Sequence, residues 1–566
     1  MKRCPECRRD YVDDSLLYCL EDGAALVQGS VPSPDEPQTA ILPDTGALSE
    51  AATKAQIHTT SIPNIDETDG RSARKLPVKL LATAVILVVL FGGAFFGSRY
   101  FRTDAKQINS IAVMPFVNES GNVEIDYLTD GMTDTLISSL SQVPNLSVKA
   151  HTSVFRYKGK DAAPKTIASE LNVQALVNGR VTQHADQLSV SVDLVDPQTE
   201  NVLWSQRYDR KQADLVSLQS EIAKDVSSKL RAKLSGDDQA KIGKTYTVDP
   251  EAYQLYLKGT FYWNKRGADS LSKAADYYNQ AIAKDPSYAL AYAGLSQTYS
   301  LYPDYSVEKP EDSYPRSKAA ASKALELDGT LAEPHCALGR YYNYWEWDRG
   351  KAEQEYRRAI ELQPNNATAH HWLGTDVLTQ TGRFDEAIAE AGRARELDPL
   401  SSIIAVNYGD TLYYAHRFDE AVVAYRKATE LDPGFYYGYS ALGNALGVKG
   451  QYPDAISALR KAQGMGSGSL GEGYLAWTLG KSGDKTATLK LIDQMKVESS
   501  KGYVPAYALA LAYAGLGDKD NAFLWLNREI DDHGTGAATL NVDPQFDDLK
   551  NDPRFNEALK RVHLAN

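Results

Sequence analysis

A chain of 566 residues with 43% hydrophobic and 10% aromatic content holds enough apolar material for several cores, which sets an expectation of three or four domains. Its net charge of -13 argues against a protein whose bulk coats nucleic acid or anionic lipid. Tyrosine is abundant (34 residues) and methionine scarce (5), a balance that suits helix pairs packed with aromatic knobs.

At the N-terminus Cys4, Cys7 and Cys19 crowd into MKRCPECRRDYVDDSLLYCLEDG, and Cys336 is the one later cysteine. Cys4 and Cys7 have the C-x2-C spacing whose tight turn aims two thiolates at one ion, and Cys19 with Asp22 repeats it. Cys4, Cys7, Cys19 and Asp22 therefore form a candidate three-sulfur, one-oxygen zinc site, a structural metal for a segment too short to build an apolar core. A redox dithiol or a metal-free tail is the alternative. The stretch resembles the small zinc ribbons that head many bacterial membrane proteins, with the pattern CPxCxxxYxDxxxxxCxxDG and Asp22 where a fourth cysteine is usual. Reduced thiolates place such a ribbon, residues 1–23, in the cytosol.

Residues 24–75 turn to Pro, Ser, Thr, Asp and Glu with little periodicity and read as a disordered linker. Thr39–Leu42 is a short apolar patch, either a docking motif or incidental. Leu80–Gly97, LLATAVILVVLFGGAFFG, carries no ionisable side chain. At about 1.5 Å of rise per residue it reaches across a bilayer, so residues 76–99 read as one transmembrane helix. Basic residues Arg71, Arg74, Lys75 and Lys79 before it, against Arg99, Arg102 and Lys106 after it, favour a cytoplasmic N-terminus. The expected location is the bacterial inner membrane, with the C-terminal domains in the periplasm. Gly93 and Gly97 have the G-x-x-x-G spacing that lets two spans approach closely in a homodimer; the alternative is glycines merely tolerated in a lone span.

Residues 108–235 read as an α/β unit. INSIAVMPFVN is a strand, DYLTDGMTDTLISSLSQVP an amphipathic helix, LSVKAHTSVFRY an alternating strand and APKTIASELNV a second helix. Three strands follow, with turns at Ala185–Gln187 and Asp196–Glu200, and then the helix LVSLQSEIAKDVSSKLRAKL. IAVMPFVN, YLTDGMTDTLISSLSQVPNLSV, TSVFRYKGK, LNVQALVNGRV and LVDPQTENVLWSQRYDR resemble, in order and spacing, the TolB N-terminal-like (FlgO-like) domain. The resemblance implies a domain preceded by a membrane span and followed by tetratricopeptide repeats, with a kinase, cyclase or winged-helix module on the cytoplasmic side. No motif of those modules is recognisable in this sequence. Asp130, Asp134, His151, Arg156 and Asp193 lack a nucleophile–base spacing, and Asp130 reads as a turn or cap residue.

From residue 250 the chain repeats. KDP ends at Pro286, ELDG at Gly329, ELQP at Pro364 and ELDP at Pro399 and again at Pro433, steps of 43, 35, 35 and 34 residues. This is the tetratricopeptide period, with one insertion around YPDYSVEKPEDSYP and helices stopped by proline or glycine. Alanine pairs seven apart, such as Ala352 with Ala359 and Ala421 with Ala428, mark where helices approach closely. Leu338–Gly339, Leu373–Gly374 and Leu442–Gly443 hold the L-G positions of the first helices, with Gly409 after Tyr408. Repeats are expected over 250–530 and a helical cap over 531–566, where Phe546, Leu549, Phe555 and Leu559 would close the last apolar face.

The expected fold class is thus multidomain: a zinc ribbon, one transmembrane helix, an α/β TolB-like domain and an all-α repeat superhelix. The repeat pattern turns Tyr256, Thr260, Arg340, Asn343, Thr375, Asp410, Tyr413 and Asn444 toward the concave groove, where a protein or peptide partner is expected. His370 and His371 are adjacent and do not share a helical face as a metal pair would. With no catalytic motif the expected function is a non-catalytic, membrane-anchored scaffold. The alternative is a transmembrane signalling or transcriptional regulator that relays outside binding to the zinc ribbon.

Overall fold

In the computed structural model of the chain, the described residues are 2–3, 10–11, 27–28, 108–122, 125–143, 145–230, 244–305, 307–500 and 504–564. The chain divides into two units, 1–101 and 102–566. In the first, β1 (Lys2–Arg3), β2 (Asp10–Tyr11) and β3 (Val27–Gln28) form an antiparallel sheet in the order β2-β1-β3. Cys4 and Cys7 fall in sequence between β1 and β2, and Cys19 and Asp22 between β2 and β3. Those four residues, the remaining linker and Leu80–Gly97 with Gly93 and Gly97 lie outside the described residues. Among the described residues no helix is long and apolar enough to cross a membrane, and no His/Cys/Asp/Glu group could hold a metal ion.

The second unit opens with a mixed sheet. β4 (Ser110–Val113) runs parallel to both β6 (Ser147–Val148) and β7 (Ala175–His184), and β5 (Val117–Asn118) also pairs with β7. β8 (Gln187–Val195) and β9 (Val202–Lys211) extend it as an antiparallel meander, giving the order β6-β4-β7-β8-β9. Ile111, Ala112 and Val113 are consecutive and fully buried, as expected of a parallel strand covered on both faces. β8 instead alternates: Leu188, Val190, Val192 and Leu194 are buried while Ser189, Ser191 and Asp193 are half-exposed. Helices α1 (Asp126–Ser141) and α4 (Leu215–Lys229) bury Leu128, Met132, Leu136 and Leu140, and Leu218, Ile222 and Val226, in the same core.

Two expectations for this region are corrected. LSVKAHTSVFRY is not one alternating strand, because only Ser147–Val148 pairs and the chain turns into α2 (His151–Phe155). The Ala150 N–H leaves the sheet and donates to the Leu397 carbonyl of the repeats at 3.0 Å. Asp130 is not a cap, since α1 begins four residues earlier; it is buried and ion-paired to Lys158 at 2.6 Å. Helix α3 (Pro164–Leu171) matches its expectation.

The array consists of eight helix pairs among the described residues: α5 (Pro250–Lys265) with α6 (Ala268–Lys284), α7 (Ala289–Leu301) with α8 (Pro310–Leu327), and α9 (Glu333–Tyr344) with α10 (Arg349–Leu362). Next come α11 (Ala367–Trp372), continued by a π-turn at Leu373–Leu378, with α12 (Phe384–Leu397), and α13 (Ser402–Tyr414) with α14 (Phe418–Leu431). The last three pairs are α15 (Tyr436–Val448) with α16 (Tyr452–Gly464), α17 (Gly468–Ser482) with α18 (Lys485–Ser499), and α19 (Ala506–Leu516) with α20 (Lys519–Asp531). Turns at Thr535–Thr539 and Pro544–Leu549 and helix α21 (Pro553–Arg561) follow.

The glycine of the L-G position has a steric cause. At Gly409 a Cβ would stand 2.5 Å from the ring of Tyr425, the buried knob of the second helix in the same pair. Gly339 meets Tyr356 in the same way. Alanine gains about 1 kcal/mol of helix propensity over glycine, whereas overpacking a rigid core costs about 1–3 kcal/mol. Tyr425 is further fixed by donating to Asp410 at 2.7 Å. Gly409→Ala is therefore expected to lower stability in chemical unfolding; a gain would show that the ring yields freely.

Candidate functional site

The residues expected to line the groove are drawn into a polar interior. Arg340, Asn343, Tyr413 and Asn444 are buried, and Tyr256, Thr260, Thr375 and Asp410 are partly so. Arg340 donates to Asp304 at 2.5 Å and to Asp376 at 3.3 Å. Asp376 sits on the π-turn of the fourth pair and also accepts from Tyr344 at 3.0 Å, Tyr356 at 2.9 Å and Thr375 at 3.1 Å. Burial pushes both carboxyls up from the ordinary range while Arg340 pulls them back, and the two acids together hold the guanidinium charged against its own burial. Asp410 accepts from Tyr425 and from Tyr437 at 3.1 Å, and burial pushes it up to about 6.

Thr260 lies 3.2 Å from the Tyr278 hydroxyl, and Tyr256 packs between Tyr278 and Tyr288. Asn343 is fully buried with neither amide atom hydrogen-bonded; the Tyr413 hydroxyl meets the Asn444 side chain, whose Oδ1 is left unpartnered. His370 and His371 are separately engaged, by Glu390 at 2.6 Å and by Asn407 at 2.6 Å.

Sequence periodicity gave no sign of what covers this interior. The C-terminal residues bury Phe546, Leu549 and Phe555 as expected, yet they also return across the array to its third pair. The His533 ring stacks on Trp347 and lies 4.5 Å from Trp345, and Arg349 donates to the Val562 carbonyl at 2.7 Å. Asn541 donates to the Gln380 carbonyl at 2.9 Å, Trp477 to the Gln545 carbonyl at 3.1 Å, and Tyr507 to the Asp543 carboxylate. At the third and fourth pairs these contacts fall just after the first helices, whereas Trp477 and Tyr507 lie within the first helices of the seventh and eighth, so the segment runs from the edge of the array onto its inner face.

The opposite edge is covered by the α/β domain. α1 packs on α5, with Gly131 pressed against Leu257. Asn365 donates to the Leu146 carbonyl at 2.6 Å, and Lys149 to the Glu396 carbonyl at 2.6 Å. Ser153 donates to the buried Asp398 at 2.5 Å and accepts from the Leu400 N–H at 2.8 Å. The ionisable residues scattered in sequence partly converge here. Asp134 binds His151 and accepts from Asn264 at 2.6 Å, Asp130 holds Lys158, and Arg156 reaches the Leu400 carbonyl. Asp193 lies apart on the sheet, paired with Arg180 at 2.9 Å.

A small cleft of about 80 Å³ lies in this joint between Ser138, Gln219, Tyr246, Tyr253, Tyr288 and Glu333. Removing a partner of a buried hydrogen bond costs about 1–3 kcal/mol. Asp398→Ala should therefore destabilise the joint by that amount and speed proteolysis near Ser153; unaltered unfolding and proteolysis would show that this contact carries nothing.

Residues 348–402 and 407–470 match the tetratricopeptide-repeat family. The C-terminal region is a tetratricopeptide-repeat array. Residues 106–225 match the second domain of HilA/YgeH-like transcriptional regulators, in place of the TolB N-terminal-like domain expected there. "Putative adenylate cyclase 3" of Rhizobium meliloti (strain 1021) is 32% identical over 231 residues, 40% of this chain. The chain spans 39% of the length of that relative. YrrB, described as a TPR protein with an unusual peptide-binding site, is 24% identical over 34% of this chain and 94% of its own, with a TM-score of 0.25. Pseudomonas aeruginosa pilF is 19% identical over 44% of this chain and 91% of its own, with a TM-score of 0.28.

Proposed function

We propose that the chain is a non-catalytic interaction scaffold in which the inner face of the repeat array receives an extended segment of a protein partner. The observation that carries this reading is a set of buried polar atoms without partners on first helices of the array, both amide atoms of Asn343 on the third pair and Asn444 Oδ1 on the sixth. Buried polar groups are costly unless paired, and an extended peptide supplies both donors and acceptors along its length. Panning a displayed peptide library on the full chain tests it. Enriched sequences should lose at least ten-fold in affinity for Tyr413→Ala and Asn444→Ala chains; binding indifferent to both substitutions would refute the reading.

The same reading keeps the head as a zinc ribbon held by Cys4, Cys7, Cys19 and Asp22, and Leu80–Gly97 as an inner-membrane anchor with the array in the periplasm. A reporter fused to the C-terminus tests that topology, and a cytoplasmic signal would overturn it. The match of residues 106–225 to a transcriptional-regulator domain supports a second reading, in which partner binding is relayed to the head. Partner-dependent nucleic-acid binding by the full chain would favour the relay; its absence would leave the scaffold alone.

A further inference from the structure

We propose that residues 533–562 are a resident, displaceable occupant of the array's inner face, standing where a partner's segment with an aromatic residue three positions after an aspartate binds. This rests on the scaffold reading above and adds both the chemistry of the partner and the way access is regulated.

The seating resembles that of a ligand more than that of a ninth repeat. From Thr535 to Leu549 the segment forms short 3-10 turns, not a helix pair, and it crosses the third, fourth, seventh and eighth pairs. Its anchors are those a bound peptide would use. Asp543 accepts from Tyr507, Gln545 offers its carbonyl to Trp477, and Phe546 stands edge-on to the Tyr507 ring at 5.4 Å. The array thus provides a carboxylate acceptor site, a backbone-reading indole and an aromatic socket. They fit a chain with an aromatic residue three positions after an aspartate.

The fit is also incomplete, which makes exchange favourable. Gln545 is 2% exposed, and neither of its side-chain polar atoms is hydrogen-bonded. Asn541 Oδ1 is unpartnered as well. On the host side the Gln380 side-chain oxygen and Asn444 Oδ1 are unmatched. A buried polar group without a partner forfeits the water it had when unfolded, so the seated state carries penalties on both surfaces. A partner that pairs these groups gains what the resident segment leaves unused. Displacement is a local opening, whose population a competing ligand raises by mass action.

The test uses the full chain and a labelled peptide of the sequence Asn541–Lys550. The peptide should bind a Phe546→Ala chain at least ten-fold tighter than the wild type, because that change weakens the resident segment and leaves Tyr413, Trp477 and Tyr507 in place. Equal affinities, or no binding to a folded Phe546→Ala chain, would overturn the proposal. Should that variant fail to fold, hydrogen exchange on the wild type decides. Amides of Gly536–Leu549 should exchange at least ten-fold faster than those of Ala506–Leu516, and faster again with excess free peptide. Equal rates that the peptide does not change would overturn it. The library selection above fails or succeeds independently of this peptide, so loss of the resident-segment idea and loss of the scaffold reading are separable.

Discussion

Replacing Arg340 by alanine is expected to cost about 3–5 kcal/mol of stability, the usual penalty for stripping the partner from a buried charge. The guanidinium is the cation between Asp304 and Asp376, and it also lies over the rings of Tyr344 and Trp372 at 4.9 and 5.1 Å. Without it the two carboxyls, which burial already drives upward, take up protons instead of remaining charged. The deficit should therefore shrink as pH falls toward 4, and Asp376→Asn in the same chain should recover part of it. Urea unfolding at pH 7 and pH 5 checks this. A loss below about 1 kcal/mol at pH 7 would mean that the network contributes little to folding.

The second large effect is a pH dependence centred on the C-terminal segment. Glu529 accepts from the Tyr507 N–H at 3.0 Å and the Gly536 N–H at 3.1 Å, joining the last helix pair to the first turn of the segment. Burial pushes its carboxyl up to about 7, and Asp532 adds to the rise. A group whose pKa is higher folded than unfolded stabilises most below its unfolded value, and that stability is lost as pH rises through the folded value. Between pH 4.5 and 7 Glu529 thus loses about 3 kcal/mol of contribution, at 1.36 kcal/mol per pH unit. Asp543 and Asp410, each pushed up to about 6 by burial, act in the same direction.

His371 opposes them. Burial holds it down to about 3, so it favours the folded state above pH 6.5 and loses that contribution as pH falls. The comparison that isolates the first effect is Glu529→Gln, which should flatten the fall in melting temperature between pH 4.5 and 7. A profile parallel to the wild type would show that Glu529 does not set it.

Local chemistry made much of this architecture readable. Proline or glycine after each second helix, alanines seven apart and glycine facing a tyrosine or leucine knob are properties of neighbouring residues, so the repeat period and its helix boundaries follow from sequence. The α/β domain was legible for the same reason wherever one face is buried, as in β8. Reading failed where distant contacts override local pattern. The alternation through LSVKAHTSVFRY suits a strand, yet Ala150 and Ser153 are claimed by Leu397, Asp398 and Leu400 of the fifth-pair junction. Asp130 before Gly131 looks like a turn, but that glycine is required by the approach of Leu257.

The inner face shows the same limit. Positional logic found residues that point inward, such as Arg340 and Tyr413, because inward direction is fixed within one helix. Whether they meet solvent, a partner or the chain's own end depends on how eight pairs curve together. Contacts such as Arg349 with Val562 join residues more than two hundred positions apart and leave no periodic trace.

Hydrogen exchange of the full chain, with and without a peptide selected on it, tests the inner-face assignment most directly. New protection is expected at Asn407–Tyr414 and Tyr474–Lys481, together with faster exchange in Gly536–Leu549. Protection confined to the exposed faces of the second helices, with Gly536–Leu549 unchanged, would contradict it.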